Sequence, residues 1–198
     1  SAEALMSKLV AYAAGVPGNA VVDPLGYAKT EHGEAGLRKK VLEKIQIGAK
    51  AINDAPLEIE DVAAINCYQI EARLRKAARK AKDEVVVIDY AQIIDPVSEL
   101  RTASREQQIA HASKHLRHIR KEMGFCLILP SQVTRDGKVF KPKHCASINE
   151  DADVNLMLMQ DDEQESEGIR CEKDRFQGNA GKLFDFKLDK PNLKFVES

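Results

Sequence analysis

Four groups of side chains stand where they could do chemistry. Asp89 ends the run Val85-Val86-Val87-Ile88, an unbroken series of β-branched residues. Such a run suits a strand buried on both faces of a parallel sheet, and open α/β sheets bind ligands at the carboxyl ends of their strands. A carboxylate there can hold a divalent cation against phosphate oxygens. A second apolar run, 125–129, leads through Pro130 and Ser131 to Gln132. A neutral amide at a strand's end can hydrogen-bond a terminal phosphate or position a water; the plainer reading is a polar residue leaving a strand. Arg135, Lys138, Lys141 and Lys143 crowd a segment that also holds Gly and Pro. They could track a phosphate backbone or simply be solvated. Lys173 and Arg175 are two residues apart, so on a strand they point the same way. They would repel unless an anion lay between them. A phosphate tail held by a neighbouring subunit is one such anion, with Arg175 as a finger supplied in trans; an edge strand guarded by cations is the plainer alternative.

The elements that must position these groups can be read from periodicity. Residues 2–14 carry Leu5, Leu9, Val10 and Ala13 at helical spacing, and 34–53 and 67–82 also read as helices. The stretch 15–33, rich in Gly and Pro, reads as a loop, and 57–60 as a short strand. Ser104-Arg105-Glu106-Gln107 fits a capping box opening a helix whose stripe is Ile109, Ala112, Leu116, Ile119 and Met123. After a polar loop at 131–147, residues 154–159 read as a third strand, and 168–173 with 182–188 as a hairpin. Strands alternating with helices, then a hairpin, predict an α/β sheet with an antiparallel edge. His111, His115 and His118 share a helix flank away from its apolar stripe, and no Cys or acidic cluster completes a metal site. The basic run 73–82 reads as a solvated helix face.

The length of 198 residues fits one domain over 1–198. A net charge of −1 argues against a generic polyanion binder. Trp is absent and aromatics are few, which leaves little for a base-stacking platform. The cysteines at 67, 126, 145 and 171 have no CxxC spacing, and Cys126 and Cys171 fall in apolar runs, so reduced, buried thiols are expected. No apolar run approaches the roughly 18 residues of a membrane span, and no secretory signal opens the chain. A soluble cytoplasmic protein is expected, and the abrupt helical start at Ser1 reads as a fragment of a longer chain.

The order of these features resembles the RecA-like ATPase domain of DnaB-type replicative helicases, bacterial or phage. Ser1-Ala2-Glu3-Ala4-Leu5 resembles the helix after that family's Ser-Leu-Glu-Met strand. Val87-Ile88-Asp89-Tyr90-Ala91-Gln92 matches its Walker B motif, and Leu129-Pro130-Ser131-Gln132 its phosphate-sensing motif. The acidic segment Ser147–Asp153 is similar to another of its motifs, and Lys173-Asp174-Arg175-Phe176 to its trans-acting Lys-x-Arg hairpin. The resemblance implies ATP and Mg²⁺ as cofactors, with Asp89 on the metal, Gln132 on the γ-phosphate, and Lys173 and Arg175 reaching a neighbour's nucleotide. It further implies single-stranded DNA held by Arg135, Lys138, Lys141 and Lys143, a homo-oligomeric, hexameric ring, and primase and a helicase loader as partners. Two parts of the family pattern are missing: no GxxxxGK[ST] occurs, and the water-activating Glu would fall just before Ser1. His144-Cys145-Ala146 also departs from the family's segment before the acidic motif. An inactive oligomeric DNA-binding or regulatory paralogue, or a RecA- or KaiC-type ATPase, are the alternatives. The Asp-Ala-Asp segment followed by Lys-x-Arg favours the helicase over the last of these.

Overall fold

Ser1 starts the first helix, α1 (Ala2–Ala14), its hydroxyl accepting from the Ala4 N–H at 3.4 Å. The helix stops at Gly15, which adopts a left-handed φ of 63° and returns its N–H to the last turn. The computed structural model describes residues 1–31, 35–79, 85–136, 139–142, 146–160, 167–189 and 194–197.

The segment 15–33, expected as a loop, instead contains α2 (Gly18–Val22) and α3 (Pro24–Glu31). Pro24 occupies the first helical position, where its missing N–H costs nothing. Asp23 accepts from the Gly26 N–H at 2.9 Å. Helix α4 (Ala35–Asp54) runs against α1, and Gly48 lies at their contact, where a Cβ would come 2.7 Å from the Ala14 nitrogen. The predicted strand at 57–60 is irregular backbone. It alternates single apolar residues with acids, and no described strand pairs with it.

Asn66 opens α5 (Cys67–Ala77) with a capping box completed by Gln69. Strand β1 (Val85–Val87) pairs in parallel with β2 (Cys126–Ile128), Val85 opposite Cys126 and Val87 opposite Ile128. The two apolar runs that lead to Asp89 and Gln132 are therefore adjacent, parallel strands. Between them runs α6 (Arg105–Met123), with the expected Ser104–Gln107 capping box and a stop at Gly124, φ 78°.

The predicted polar loop at 131–147 contains regular structure. It holds β3 (Val133–Asp136) antiparallel to β4 (Val139–Pro142), then enters α7 (Ala146–Asp151). Val-Thr and Val-Phe flanking Asp136-Gly137 are hairpin chemistry that the density of charge hides. Strands β5 (Val154–Gln160), β6 (Glu167–Asp174), β7 (Leu183–Asp189) and β8 (Lys194–Glu197) form one sheet in that order. The expected hairpin is the antiparallel β6–β7 pair, from Glu167 opposite Phe186 to Arg170 opposite Leu183.

The chain divides into two compact units. One comprises 1–61, 156–170 and 182–198, and contains the α1–α4 helices and the β6–β7–β8 ladder. The other, 62–155 with 171–181, holds β1, β2, α5, α6 and α7. Its core is the α6 stripe of Ile109, Ala112, Leu116 and Ile119 together with Cys67, Ile70, Ile94 and Val97, against which Ile88, Leu127 and Leu129 pack. Only one face of the β1–β2 pair is covered by described residues. Val85, Val87 and Ile128 are 56%, 58% and 48% exposed on the other, which corrects the expectation of strands buried on both faces. Cys126 lies on that exposed face too, against the expectation of burial, whereas Cys67 and Cys171 are buried; Cys145 lies outside the described residues.

Candidate functional site

Parallel pairing gives β1 and β2 the same direction, so Asp89 and Gln132 leave the sheet at the same edge. The pairing continues past the strands: the Ile88 N–H donates to Ile128 O at 3.1 Å and the Ala91 N–H to Pro130 O at 2.8 Å. Asp89 is exposed and its carboxylate has no hydrogen-bonding or ionic partner among the described residues. An exposed hard-oxygen donor suits Mg²⁺, so the residue present fits that metal. The Gln132 side chain is exposed as well, but its backbone is not loose. Its N–H donates to Gln92 Oε1 at 3.1 Å, and Gln92 Nε2 donates to Ser131 Oγ at 2.9 Å and to Gln132 O at 3.4 Å.

The loop that follows Asp89 is stitched to the start of α6. Arg105 donates to Gln92 O at 2.6 Å and to Ile94 O at 3.0 Å. Gln108 donates to the carbonyls of Leu100 and Ala103, both at 3.0 Å.

In the same unit, Lys173 and Arg175 meet α7. Lys173 Nζ donates to Asn149 O at 2.6 Å and to Glu150 O at 2.9 Å. Arg175 donates to Asp153 Oδ1 and to Glu150 O, both at 2.9 Å. The other oxygen of Asp153 accepts from Arg120 on α6 at 2.7 Å. Asp151 is held from α6 too, by Ser113 Oγ at 2.9 Å and Arg117 Nη1 at 3.3 Å. Burial works against ionisation of Asp153, but the Arg175 hydrogen bond and the charges of Arg120 and Arg117 outweigh it and hold the carboxyl below its ordinary value. Burial and the neighbouring Arg175 push Lys173 down. Beyond Arg175, Asp174 accepts from the N–H groups of Phe176 at 2.8 Å and Gln177 at 3.1 Å, which fixes the turn and lowers its own pKa.

A sequence profile described as DnaB-like helicase C terminal domain matches residues 1–188. The chain belongs to that family. The replicative DNA helicase DnaB of Mycoplasma pneumoniae is 27% identical over 171 residues, covering 75% of this chain and 36% of the relative. That of Leifsonia xyli subsp. xyli is 31% identical over 128 residues, or 61% of this chain and 28% of the relative. The chain thus spans about a third of the length of these curated relatives. Two solved structures share the fold at 20% identity. One, an ATPase domain, has a TM-score of 0.82, covering 100% of this chain and 71% of that one. The other, a DnaB-like replicative helicase described with its interactions with primase, has a TM-score of 0.79, covering 96% and 46%. The fold is therefore the RecA-like α/β fold of DnaB-like ATPase domains, as the sequence motifs imply.

Of the residues singled out from sequence, Asp89 and Gln132 share one sheet edge, and Lys173 and Arg175 share the cluster around Asp153. Arg135 and Lys141 fall on β3 and β4, where backbone register sets Arg135 opposite Phe140 and Lys141 opposite Thr134; Lys138 and Lys143 lie outside the described residues. Sequence reasoning gave no role to Gln92, Arg105, Arg120 or Asp153. Gln92 and Asp153 lie inside the recognised motifs, but their partners are 40 and 22 residues away.

Within the basic run Arg73, Lys76 and Arg79 are exposed, as expected of a solvated helix face. Arg75 is no solvated bystander: it joins Glu71 at 2.7 Å to Glu122 of α6 at 2.9 Å. His115 meets Glu71 Oε2 at 2.7 Å, with the Tyr68 ring edge-on to it. Hydrogen bonding from Arg75, then from His115, keeps Glu71 below the usual carboxylate range. This network buckles α5 to α6. Among the described residues no helix is long and apolar enough to cross a membrane.

Proposed function

We propose that the complete protein is an ATP-dependent replicative DNA helicase, and that these residues form most of its nucleotide-hydrolysing core. One observation carries the reading. The parallel β1–β2 pair, extended by the Ala91–Pro130 bond, leaves a carboxylate without a partner among the described residues and an exposed neutral amide at one edge of adjacent strands. When bound, Mg²⁺ would neutralise charge on the phosphates of ATP. Asp89 would hold the metal through a carboxylate oxygen. Gln132 would hydrogen-bond the γ-phosphate and, being neutral, change partners when that phosphate leaves. The phosphate-cradling loop and the general base would come from other parts of the protein, since no GxxxxGK[ST] occurs here.

Lys173 and Arg175 would serve the nucleotide of an adjacent protomer in a hexameric ring, where a cation from outside neutralises charge developing on the transferred phosphoryl group. In the single chain both are held against α7, and Arg175 keeps a side-chain exposure of 39%. The β3–β4 hairpin follows Gln132 directly, so a shift at the sensor would reach Arg135, Lys138, Lys141 and Lys143. Those cations would grip single-stranded DNA through its backbone, with strong salt dependence and little sequence preference. Primase and a helicase loader are the further partners this reading proposes.

The test is turnover of Mg·ATP by the full-length protein with and without single-stranded DNA. Wild type should be DNA-stimulated, and Asp89→Ala should abolish turnover. Gln132→Ala should bind ATP normally and lose the stimulation. Normal turnover by Asp89→Ala would refute the assignment.

A further inference from the structure

Gln92 touches neither metal nor phosphate in the scheme above, yet its side chain is tied to both Ser131 and Gln132 at that sheet edge. It lies in the 3-10 turn 91–93 just beyond Asp89 and is half-buried. Its amide makes a reciprocal pair with the main chain of Gln132: Oε1 accepts from the N–H at 3.1 Å and Nε2 faces the carbonyl at 3.4 Å. The pair continues the strand ladder by side chain where the backbones part, two residues beyond the Ala91–Pro130 bond. Nε2 also donates to Ser131 Oγ at 2.9 Å, so both residues before the hairpin are held. Gln92's own carbonyl is fixed in turn by Arg105 at 2.6 Å, and the same guanidinium holds Ile94 O at 3.0 Å. The chain of bonds therefore runs from the strand bearing Asp89, through Gln92, to the backbone of Gln132, and is anchored at the start of α6.

We propose that Gln92 is a positioning residue that clamps the backbone of Gln132 to the Asp89 strand, so that the sensor's side chain alone is free to respond to the γ-phosphate. The proposal rests on the nucleotide reading given above. A sensor whose main chain drifted would lose its defined distance to the metal-bound phosphate. It would also dissipate the γ-phosphate signal before reaching the hairpin that starts at Val133. Side-chain length matters here. Asn is one methylene too short to span the gap, and Glu keeps the acceptor but sets a negative charge against the Gln132 carbonyl.

The experiment uses the full-length protein with Mg·ATP and oligodeoxythymidylate, comparing wild type, Gln92→Ala, Gln92→Asn, Gln132→Ala and the Gln92→Ala/Gln132→Ala double variant. Hydrogen exchange of the peptide containing Ser131 and Gln132 reads the clamp without reference to activity. Removing Gln92's side chain should speed that exchange by about tenfold, the weight of one or two hydrogen bonds, and Asn should not restore protection. DNA-stimulated kcat should fall by a similar factor of about ten while KM for ATP stays within about twofold. The double variant should turn over as Gln132→Ala alone does, because Gln92 acts through Gln132. Unchanged exchange in Gln92→Ala overturns the clamp. A further additive loss in the double variant means that Gln92 acts by another route and overturns the positioning role. Wild-type protein that shows the exchange difference but no DNA-stimulated turnover sinks the enzymatic reading, and the sensor role of the clamp with it.

Discussion

At the edge where Asp89 and Gln132 emerge, the backbone is fixed and the chemical side chains are loose. Around Asp153 the side chains themselves are fixed. Asp89 has no partner among the described residues, and Gln132 is held only through its main chain. In contrast, Asp153 spends both oxygens on arginines, and Lys173 and Arg175 are occupied by α7 carbonyls. On the function proposed above, the difference fits what each region would do. A group that must exchange metal and phosphate partners during turnover cannot be spent on internal bonds. A finger that must reach another subunit needs a defined resting geometry, because an arginine loses about 2 kcal/mol of rotamer freedom when immobilised. The bonds to α7 have already restricted that freedom in the single subunit.

The contrast can be broken most decisively by turnover. Arg175→Ala in the full-length protein should lower ATPase activity by about 10³–10⁵-fold, the range measured for arginine fingers. Mixing Arg175→Ala with Asp89→Ala subunits, each inactive alone, should then restore part of the activity, since some interfaces would combine an intact Asp89 with an intact Arg175. No recovery in verified mixed rings would mean that Arg175 serves its own subunit.

A smaller effect, on stability, should separate the two regions. Asp153→Asn leaves Arg120 and Arg175 without their shared anion in a partly buried site, and should cost about 1–3 kcal/mol. For a domain of this size that lowers Tm by about 5 °C, read by calorimetry. The pH dependence carries a sign. The folded pKa of Asp153 lies below its ordinary value of 3.8, so its stabilisation is complete above that value and disappears as pH falls through the lower folded value. The Tm gap between wild type and variant should therefore close in acid below about pH 4. A gap that persists there would locate the cost in something other than charge.

The smallest expected change sharpens the same point. Asp89→Asn should eliminate turnover and leave the unfolding free energy within about 0.5 kcal/mol of wild type, as befits an exposed group without partners among the described residues. A large loss of stability, read by denaturant titration, would mean that Asp89 is structurally engaged, and the contrast between the regions would fall.

Much of this was legible in the chain. Helix α6 is written in its apolar stripe and in Ser104–Gln107, both short-range signals, and the β1 and β2 runs announce parallel strands ending in Asp89 and before Gln132. The Asp136-Gly137 pair between β3 and β4 is a hairpin signal hidden by surrounding charge, and Pro24 reads as a breaker unless it is recognised as a first helical residue. The sequence by itself determined which residues could do chemistry and on which elements they sit, because periodicity and capping act over a few residues. Only the tertiary structure decided which carboxylates are free and which are spent. Asp89 and Asp153 are both acids in recognisable motifs. What separates them is whether Arg120 and Arg175, 33 and 22 residues away from Asp153 along the chain, fold back to within hydrogen-bonding distance. Partners of that kind are set by packing, which no local pattern encodes.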